Sequence, residues 1–154
     1  MNKTRIYIDN SVIGGFFDRE FEEDTKLLFL RIKKKVFNVY ISDITNLELE
    51  LAPDYIKKIV SDIPKDCLIT LDFTKEAEEL AENYIKENIL GKASTNDAYH
   101  IAIATINRID VLVSWNFRHI VNYNKIKLFN SVNLKLGYPE IDIRSPNELI
   151  EYEN

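Results

Sequence analysis

The sequence is poor in residues that form cross-links, flexible linkers or thiolate metal sites. Its 154 residues include one cysteine, Cys67, and only four glycines and four prolines. A lone cysteine cannot form an internal disulfide, and beside an apolar strand it is expected in the core. That usage fits the reducing cytoplasm. Two histidines and one cysteine also lack the ligand spacing of a zinc site.

Long apolar runs and glycine-rich loops are also missing. No stretch approaches the roughly 20 apolar residues that a membrane helix needs, and the first residues lack the apolar region of a signal peptide. No glycine-rich phosphate loop is present, which argues against P-loop and dinucleotide-binding enzymes. We therefore expect a soluble, cytoplasmic protein that does not enter a membrane.

The composition that remains is that of an ordinary globular chain. Hydrophobic residues make up 45% and charged residues 29%, which is enough for one core. We expect a single domain over residues 1–154, with a core over about 4–135 and a C-terminal extension over 136–154. The net charge of −5 argues against a general nucleic-acid binder. It does not exclude a nuclease, because the acids of a metal site contribute to that charge.

Short apolar segments alternate with longer segments of helical periodicity. This alternation predicts a parallel sheet covered on both faces, a three-layer α/β/α sandwich. A short helix or turn is expected over 11–17. The predicted strands are 5–8, 39–41, 67–71, 111–113 and 141–143. The predicted helices are 22–37, 45–51, 54–61, 74–88, 94–107 and 124–132.

Three acids lie beside these segments, at positions where a fold can bring them together. Asp9 directly follows the first strand, whereas Glu48 and Asp97 are expected near the starts of two helices. Ser114 and Asn116 follow the strand 111–113. Ligands of parallel α/β sheets bind outside the carboxyl ends of the strands. The sequence therefore predicts one acidic pocket.

Each acid also has a purely structural interpretation. Asp9 can cap the helix that follows it. The pairs Thr45–Glu48 and Ser94–Asp97 have the spacing of a capping box, in which the acid bonds back to the backbone. For any one of these acids, capping is the commoner role. Only the combination of all three favours a site.

The combination suits a hard divalent cation. Mg²⁺ and Mn²⁺ prefer oxygen ligands, and a metal among converging carboxylates can activate water for phosphodiester hydrolysis. Asn116 would offer a carbonyl oxygen but no negative charge. His100 lies about one helical turn after Asp97, where it either reaches the pocket rim or a substrate phosphate, or is a helix residue with one ring nitrogen hydrogen-bonded.

Four segments in order resemble the PIN domain, the nuclease fold of many toxins called VapC-like. They are YIDNSVI at 7–13, ISDITNLEL at 41–49, NDAYHIAIA at 96–104 and DVLVSWN at 110–116. The resemblance covers roughly residues 4–135. It implies a Mg²⁺- or Mn²⁺-dependent endoribonuclease, frequent homodimers and inhibition by a cognate antitoxin. It would make Asp9, Glu48 and Asp97 catalytic metal ligands and Ser11 a polar support.

The sequence departs from the family pattern at the fourth position. The family usually has Ser or Thr, any residue and then Asp after the last of these strands, whereas this chain has Ser114, Trp115 and Asn116. We expect Asn116 and Ser114 to be weaker neighbours of the metal. The predicted function is the toxin ribonuclease of a type II toxin–antitoxin pair, acting on RNA.

Two other functions compete with this one. A PIN-like domain with a weakened site could bind RNA or a protein without cutting, and Asn116 supports that reading. An aspartate-dependent phosphatase could use Asp9 as its nucleophile. That class needs a second acid two residues later, where this chain has Ser11.

Overall fold

Residues 2–150 are described by a computed structural model of the chain. They contain one sheet of five strands, and every neighbouring pair of strands is parallel. The strands are rich in β-branched and aromatic residues, which pack well on a pleated surface. Their bounds are β1 Thr4–Ile8, β2 Phe37–Ser42, β3 Leu68–Leu71, β4 Val111–Val113 and β5 Asp142–Arg144.

The strand order is β3-β2-β1-β4-β5, so β1 lies in the middle of the sheet. From β1 the chain runs outward through β2 and β3, and then returns to place β4 on the other side of β1. In the register, Ile8 pairs with Val113. The carboxyl ends of β1 and β4 are therefore adjacent, and the crevice between them is the point where the direction of strand order reverses.

Helices cover both faces of the sheet, which confirms the predicted three-layer α/β/α sandwich. One apolar cluster joins the sheet to α3, α5, α6 and α7, and a second joins it to α1, α2, α4 and α8. The helices are α1 Asn10–Gly14, α2 Glu22–Lys33, α3 Asp43–Glu50, α4 Asp54–Ser61, α5 Lys75–Lys86, α6 Thr95–Ile106, α7 Tyr123–Lys135 and α8 Pro146–Ile150.

The alternation of side chains along β1 divides the core between the two faces. Ile6 and Ile8 pack into the cluster around α2, whereas Tyr7 packs into the cluster around α5 and α6. All three are fully buried. Because successive strand residues point to opposite faces, β1 anchors both halves of the core.

Several predicted boundaries differ from the observed ones. The helix predicted over 22–37 ends at Lys33, because Lys35 has a positive φ of 62° and Phe37 already begins β2. The helix predicted from residue 45 begins at Asp43. Cys67 ends a short 3-10 turn before β3 and is buried, as expected for a core cysteine.

The segment after residue 135 adds to the same sheet. β5 pairs with β4, in the region where the sequence predicted a strand over 141–143, and α8 packs against α2. Among residues 2–150, no helix is both long and apolar enough to cross a membrane.

Candidate functional site

The candidate site lies where β1 and β4 end. Asp9 is the first residue after β1, and Ser114 is the first after β4. The backbone continues the pairing here, because the N–H of Asp9 donates to the carbonyl of Val113 at 3.4 Å. Polar side chains are thus placed at the crevice where parallel α/β sheets bind ligands.

Asp9 is a buried acid held by three donors. Its Oδ1 accepts the hydroxyl of Ser11 at 2.6 Å and the N–H of Val12 at 3.2 Å, and its Oδ2 accepts the hydroxyl of Ser114 at 2.6 Å. The bond from Val12 makes Asp9 the N-cap of α1, so the capping interpretation is correct. Burial raises the pKa of Asp9, and the two serine hydroxyls oppose that rise.

The two serines connect the strand ends to each other. Ser11 Oγ lies 3.3 Å from Ser114 Oγ and accepts the N–H of Trp115 at 2.9 Å. Ser114 Oγ accepts the N–H of Asn116 at 2.9 Å. The loop after β4 is therefore tied to the start of α1 through hydroxyl groups that also contact Asp9.

Asp97 lies in the first turn of α6, near enough to Asp9 and Glu48 to be affected by their charges. The side chain of the N-cap, Ser94, makes no capping bond, so the expected capping pair is absent here. The pKa of Asp97 is raised chiefly by burial, then by the negative charge of Asp9 and more weakly by that of Glu48. The nearby His100 opposes the rise. Two acids far from Asp97 in the sequence thus disfavour its ionised form.

Glu48 reaches this region from the C-terminal half of α3, not from the start of a helix as expected. The helix begins earlier, and the hydroxyl of Thr45 accepts the N–H of Ser42 at 3.1 Å, so the predicted Thr45–Glu48 capping pair is wrong. The side chain of Glu48 is 32% exposed, and its Oε1 lies 2.6 Å from Nε2 of His100.

Asn116 is turned so that its amide donor faces the acids. Its Oδ1 accepts the backbone N–H of His119 at 2.9 Å, and its Nδ2 donates to Oδ2 of Asp97 at 3.3 Å. A backbone N–H can only donate, which fixes the identity of the two amide atoms. Asn116 therefore presents an N–H group to Asp97, and the carbonyl oxygen that the sequence assigned to a metal is engaged elsewhere.

His100 lies beneath the acids, not at the rim of the pocket. It is 2% exposed, and both of its ring nitrogens are hydrogen-bonded, Nε2 to Glu48 and Nδ1 to the hydroxyl of Tyr7 at 2.5 Å. Tyr7 also bonds to the hydroxyl of Ser42 at 2.7 Å. No role was predicted from the sequence for Tyr7 or Ser42. A tyrosine within an aliphatic strand was the available signal, because a buried tyrosine hydroxyl needs a partner.

The carboxylate oxygens of these acids are ligands that suit a hard divalent cation. Asp9, Glu48 and Asp97 each retain oxygen lone pairs that the bonds described above do not use. Their carboxylate chemistry suits Mg²⁺ or Mn²⁺ and not zinc. Within residues 2–150, however, no three acidic, histidine or cysteine side chains are already close enough together to form a metal site. A cation would have to draw the carboxylates inward.

No protein-family model matches the sequence. No curated protein matches it either.

Solved structures do match the fold. VapBC2 from Rickettsia felis, solved bound to a DNA fragment from its promoter, has a TM-score of 0.59 and 13% identity over 92% of this chain and 98% of that one. FitAcB from Neisseria gonorrhoeae has a TM-score of 0.56 and 16% identity over 92% of this chain and 97% of that one. VapC20 from Mycobacterium tuberculosis is a toxin that cleaves the sarcin–ricin loop. It has a TM-score of 0.56 and 13% identity over 88% of this chain and 98% of that one.

These likenesses extend along nearly the whole of each matched chain. Identities of 13% to 16% are too low to transfer residue roles, but the shared architecture covers the sheet and both helical layers. The resemblance that the four sequence segments indicated is therefore confirmed at the level of the fold. The chain has the PIN-domain fold of the VapC and FitB toxins.

Proposed function

We propose that this chain is a metal-dependent endoribonuclease and the toxin of a type II toxin–antitoxin pair. The observation that carries the proposal is the placement of three acids around the ends of β1 and β4: Asp9 bonds to Ser114, Asp97 bonds to Asn116, and Glu48 bonds to His100, one turn of α6 beyond Asp97. Acids that repel one another in a partly buried pocket are stabilised by a bound cation. Asp9 directly follows β1, at the strand ends where this class of sheet binds ligands.

Asp9, Glu48 and Asp97 would hold one or two Mg²⁺ or Mn²⁺ ions. Such an ion, when bound, supplies Lewis-acid chemistry that activates water and offsets the charge of a phosphodiester. The chain's own contribution is positional. Ser11 and Ser114 hold the Asp9 carboxylate at 2.6 Å each, so that its orientation is set before substrate arrives.

The partners follow from the resemblance to the PIN family. The substrate would be cytoplasmic RNA, the inhibitor a cognate antitoxin, and the active form a homodimer. The similarity of the fold to VapC20, a toxin that cleaves the sarcin–ricin loop, supports RNA as the substrate.

The test is cleavage of a mixed RNA pool with Mn²⁺, Mg²⁺ or EDTA. We expect cutting that requires metal and that is lost in Asp9→Asn, Glu48→Gln and Asp97→Asn. The matched control is Glu50→Gln, because Glu50 is an exposed acid on the same helix as Glu48. Cutting that persists in EDTA, or in all three site variants, would overturn the proposal.

A second candidate is a binding module that holds RNA or a protein without cutting. The orientation of Asn116 favours it, since its amide already donates a hydrogen bond to the Asp97 carboxylate that a cation would otherwise bind. RNA that binds equally with Mn²⁺ and with EDTA, and is never cut, would make this the better assignment.

The phosphatase alternative has less support. Its general acid would be two residues after Asp9, where Ser11 instead donates a hydrogen bond to Oδ1 of Asp9. Asp9 is also 4% exposed, with both oxygens engaged, which hinders attack on a phosphate. Detection of a phospho-aspartate at Asp9 after treatment with a phosphate analogue would restore this candidate.

A further inference from the structure

A chain of short hydrogen bonds runs through the buried interior and ends at Glu48. It begins at the hydroxyl of Ser42, passes to the hydroxyl of Tyr7 at 2.7 Å, continues to Nδ1 of His100 at 2.5 Å, and leaves from Nε2 of His100 to Oε1 of Glu48 at 2.6 Å. Ser42, Tyr7 and His100 are all buried. This hydroxyl–imidazole chain connects three separate elements of the fold to one acid.

The donors and acceptors along the chain are consistent with one arrangement of protons. An ionised Glu48 can only accept, so Nε2 of His100 carries the proton that faces it. With Nε2 carrying the proton, Nδ1 accepts, and the hydroxyl of Tyr7 lies beside it as the donor. The hydroxyl of Ser42 can in turn donate to the oxygen of Tyr7.

We infer that Tyr7 and His100 are positioning residues that fix the direction of the Glu48 carboxylate toward the acidic pocket. The inference rests on the proposed function, since it concerns an acid that would hold the cation. With Oε1 engaged by His100, the other oxygen, Oε2, accepts no hydrogen bond from residues 2–150 and remains available to a ligand.

Glu48 needs such support more than the other two acids do. Asp9 is held by two donors from α1 and one from the residue after β4, and Asp97 bonds to Asn116. Glu48 is longer, partly exposed, and bonded by His100 alone among the described residues. A glutamate in that setting otherwise samples several rotamers, and outer partners that orient a ligand typically change metal affinity by about 10- to 100-fold when removed.

The spacing of Asp97 and His100 in α6 explains how one helix both carries Asp97 and supports Glu48. Asp97 and His100 are three residues apart, so they project from the same face of the helix about one turn from each other. Asp97 faces the pocket from the first turn, while His100 lies one turn deeper and contacts Glu48 from below. Neither β1 nor α3 could orient Glu48 by itself.

The first test measures the tautomer of His100 by two-bond ¹H–¹⁵N NMR at a single pH without metal. We expect the Nε2–H form in the unaltered protein and, in Tyr7→Phe, a changed ¹⁵N shift of Nδ1, because that nitrogen loses its hydrogen bond. The matched control is Tyr84→Phe, because Tyr84 is equally buried but bonds to Asn133, away from the acids. An Nδ1–H form, a doubly protonated ring, or no change in Tyr7→Phe would overturn the inference.

The second test measures Mn²⁺ affinity by isothermal titration calorimetry. We expect Tyr7→Phe and His100→Leu to weaken binding about tenfold or more, Tyr84→Phe to change it less than twofold, and His100→Gln to recover part of the loss by donating from its amide. Thermal melts would identify any variant that fails to fold. If His100→Leu does not fold, Mn²⁺ affinity is compared between His100→Gln and the unaltered protein.

The outcomes separate this inference from the proposed function. Equal Mn²⁺ affinity in Tyr7→Phe and the unaltered protein would overturn the positioning role alone. No Mn²⁺ binding by the unaltered protein would overturn the proposed function and the inference with it.

Discussion

The hydroxyl of Ser114 lies 2.6 Å from Oδ2 of Asp9, although 105 residues separate them in the sequence. This bond joins the ends of the two central strands, and both side chains are buried. It stabilises a carboxylate whose pKa burial would otherwise raise further. The position of the Asp9 side chain after β1 therefore depends on that of Ser114 after β4.

Replacing Ser114 by alanine should destabilise the protein by about 1.5–3 kcal/mol at neutral pH, because a buried carboxylate loses a charge-assisted hydrogen bond. Urea unfolding would measure the change. The control is Ser61→Ala, which removes an exposed hydroxyl bonded to the carbonyl of Lys58 and should change stability by less than about 0.5 kcal/mol. Equal losses in the two variants would contradict the role of the Asp9–Ser114 bond.

The metal-free protein should become less stable as pH rises above the ordinary aspartate pKa of about 3.9. The pKa of Asp97 is raised in the folded state, so between the unfolded and folded pKa values the folded protein binds more protons, and unfolding becomes easier with each increase in pH. In Asp97→Asn, stability should decrease less as pH rises. Thermal melts across pH 3–8 in EDTA would test it, and an unchanged slope in Asp97→Asn would argue against the effect.

Asn116→Asp should tighten Mn²⁺ binding by about tenfold, equivalent to about 1.4 kcal/mol, because a carboxylate replaces the amide donor that faces Asp97. The same change should destabilise the metal-free protein through repulsion between the two acids. Calorimetry and thermal melts with and without Mn²⁺ would measure both effects. Asn83→Asp adds the same charge on α5, where the Asn83 amide donates to the carbonyl of Glu79, and should leave Mn²⁺ affinity unchanged. No gain in Mn²⁺ affinity in Asn116→Asp would place residue 116 outside the cation's reach.

Gly15→Ala should cost about 1–3 kcal/mol, since a Cβ at this position would collide with Thr25 and lie 2.9 Å from Nε1 of Trp115. That collision disrupts the hydrogen bond of 2.9 Å from the Trp115 indole to the Thr25 hydroxyl. Gly14→Ala is the control, because no atom lies within 4 Å of its added Cβ, and alanine favours the helix. Chemical unfolding should show that Gly15→Ala lowers the free energy of unfolding and that Gly14→Ala raises it. An unchanged stability of Gly15→Ala would contradict the close packing.

Local signals in the sequence were enough to predict most elements and the layering of the fold. Apolar strands separated by amphipathic helices require a covered parallel sheet, and that architecture is observed. Boundaries were missed where backbone conformation decides them. Lys35, Asn88 and Arg108 all have positive φ values and lie just beyond the ends of α2, α5 and α6. A helix stops at such residues for reasons that periodicity does not encode.

The sequence by itself determined which acids were available and that Asp9 would lie at a strand end, because strand pattern and chain order are local properties. Only the tertiary structure decided how the side chains meet. The contact of His100 with Tyr7 and Glu48 spans 93 and 52 residues, and the orientation of the Asn116 amide depends on the backbone of His119. Such contacts follow from the packing of α3 and α6 around β1, which no single segment specifies.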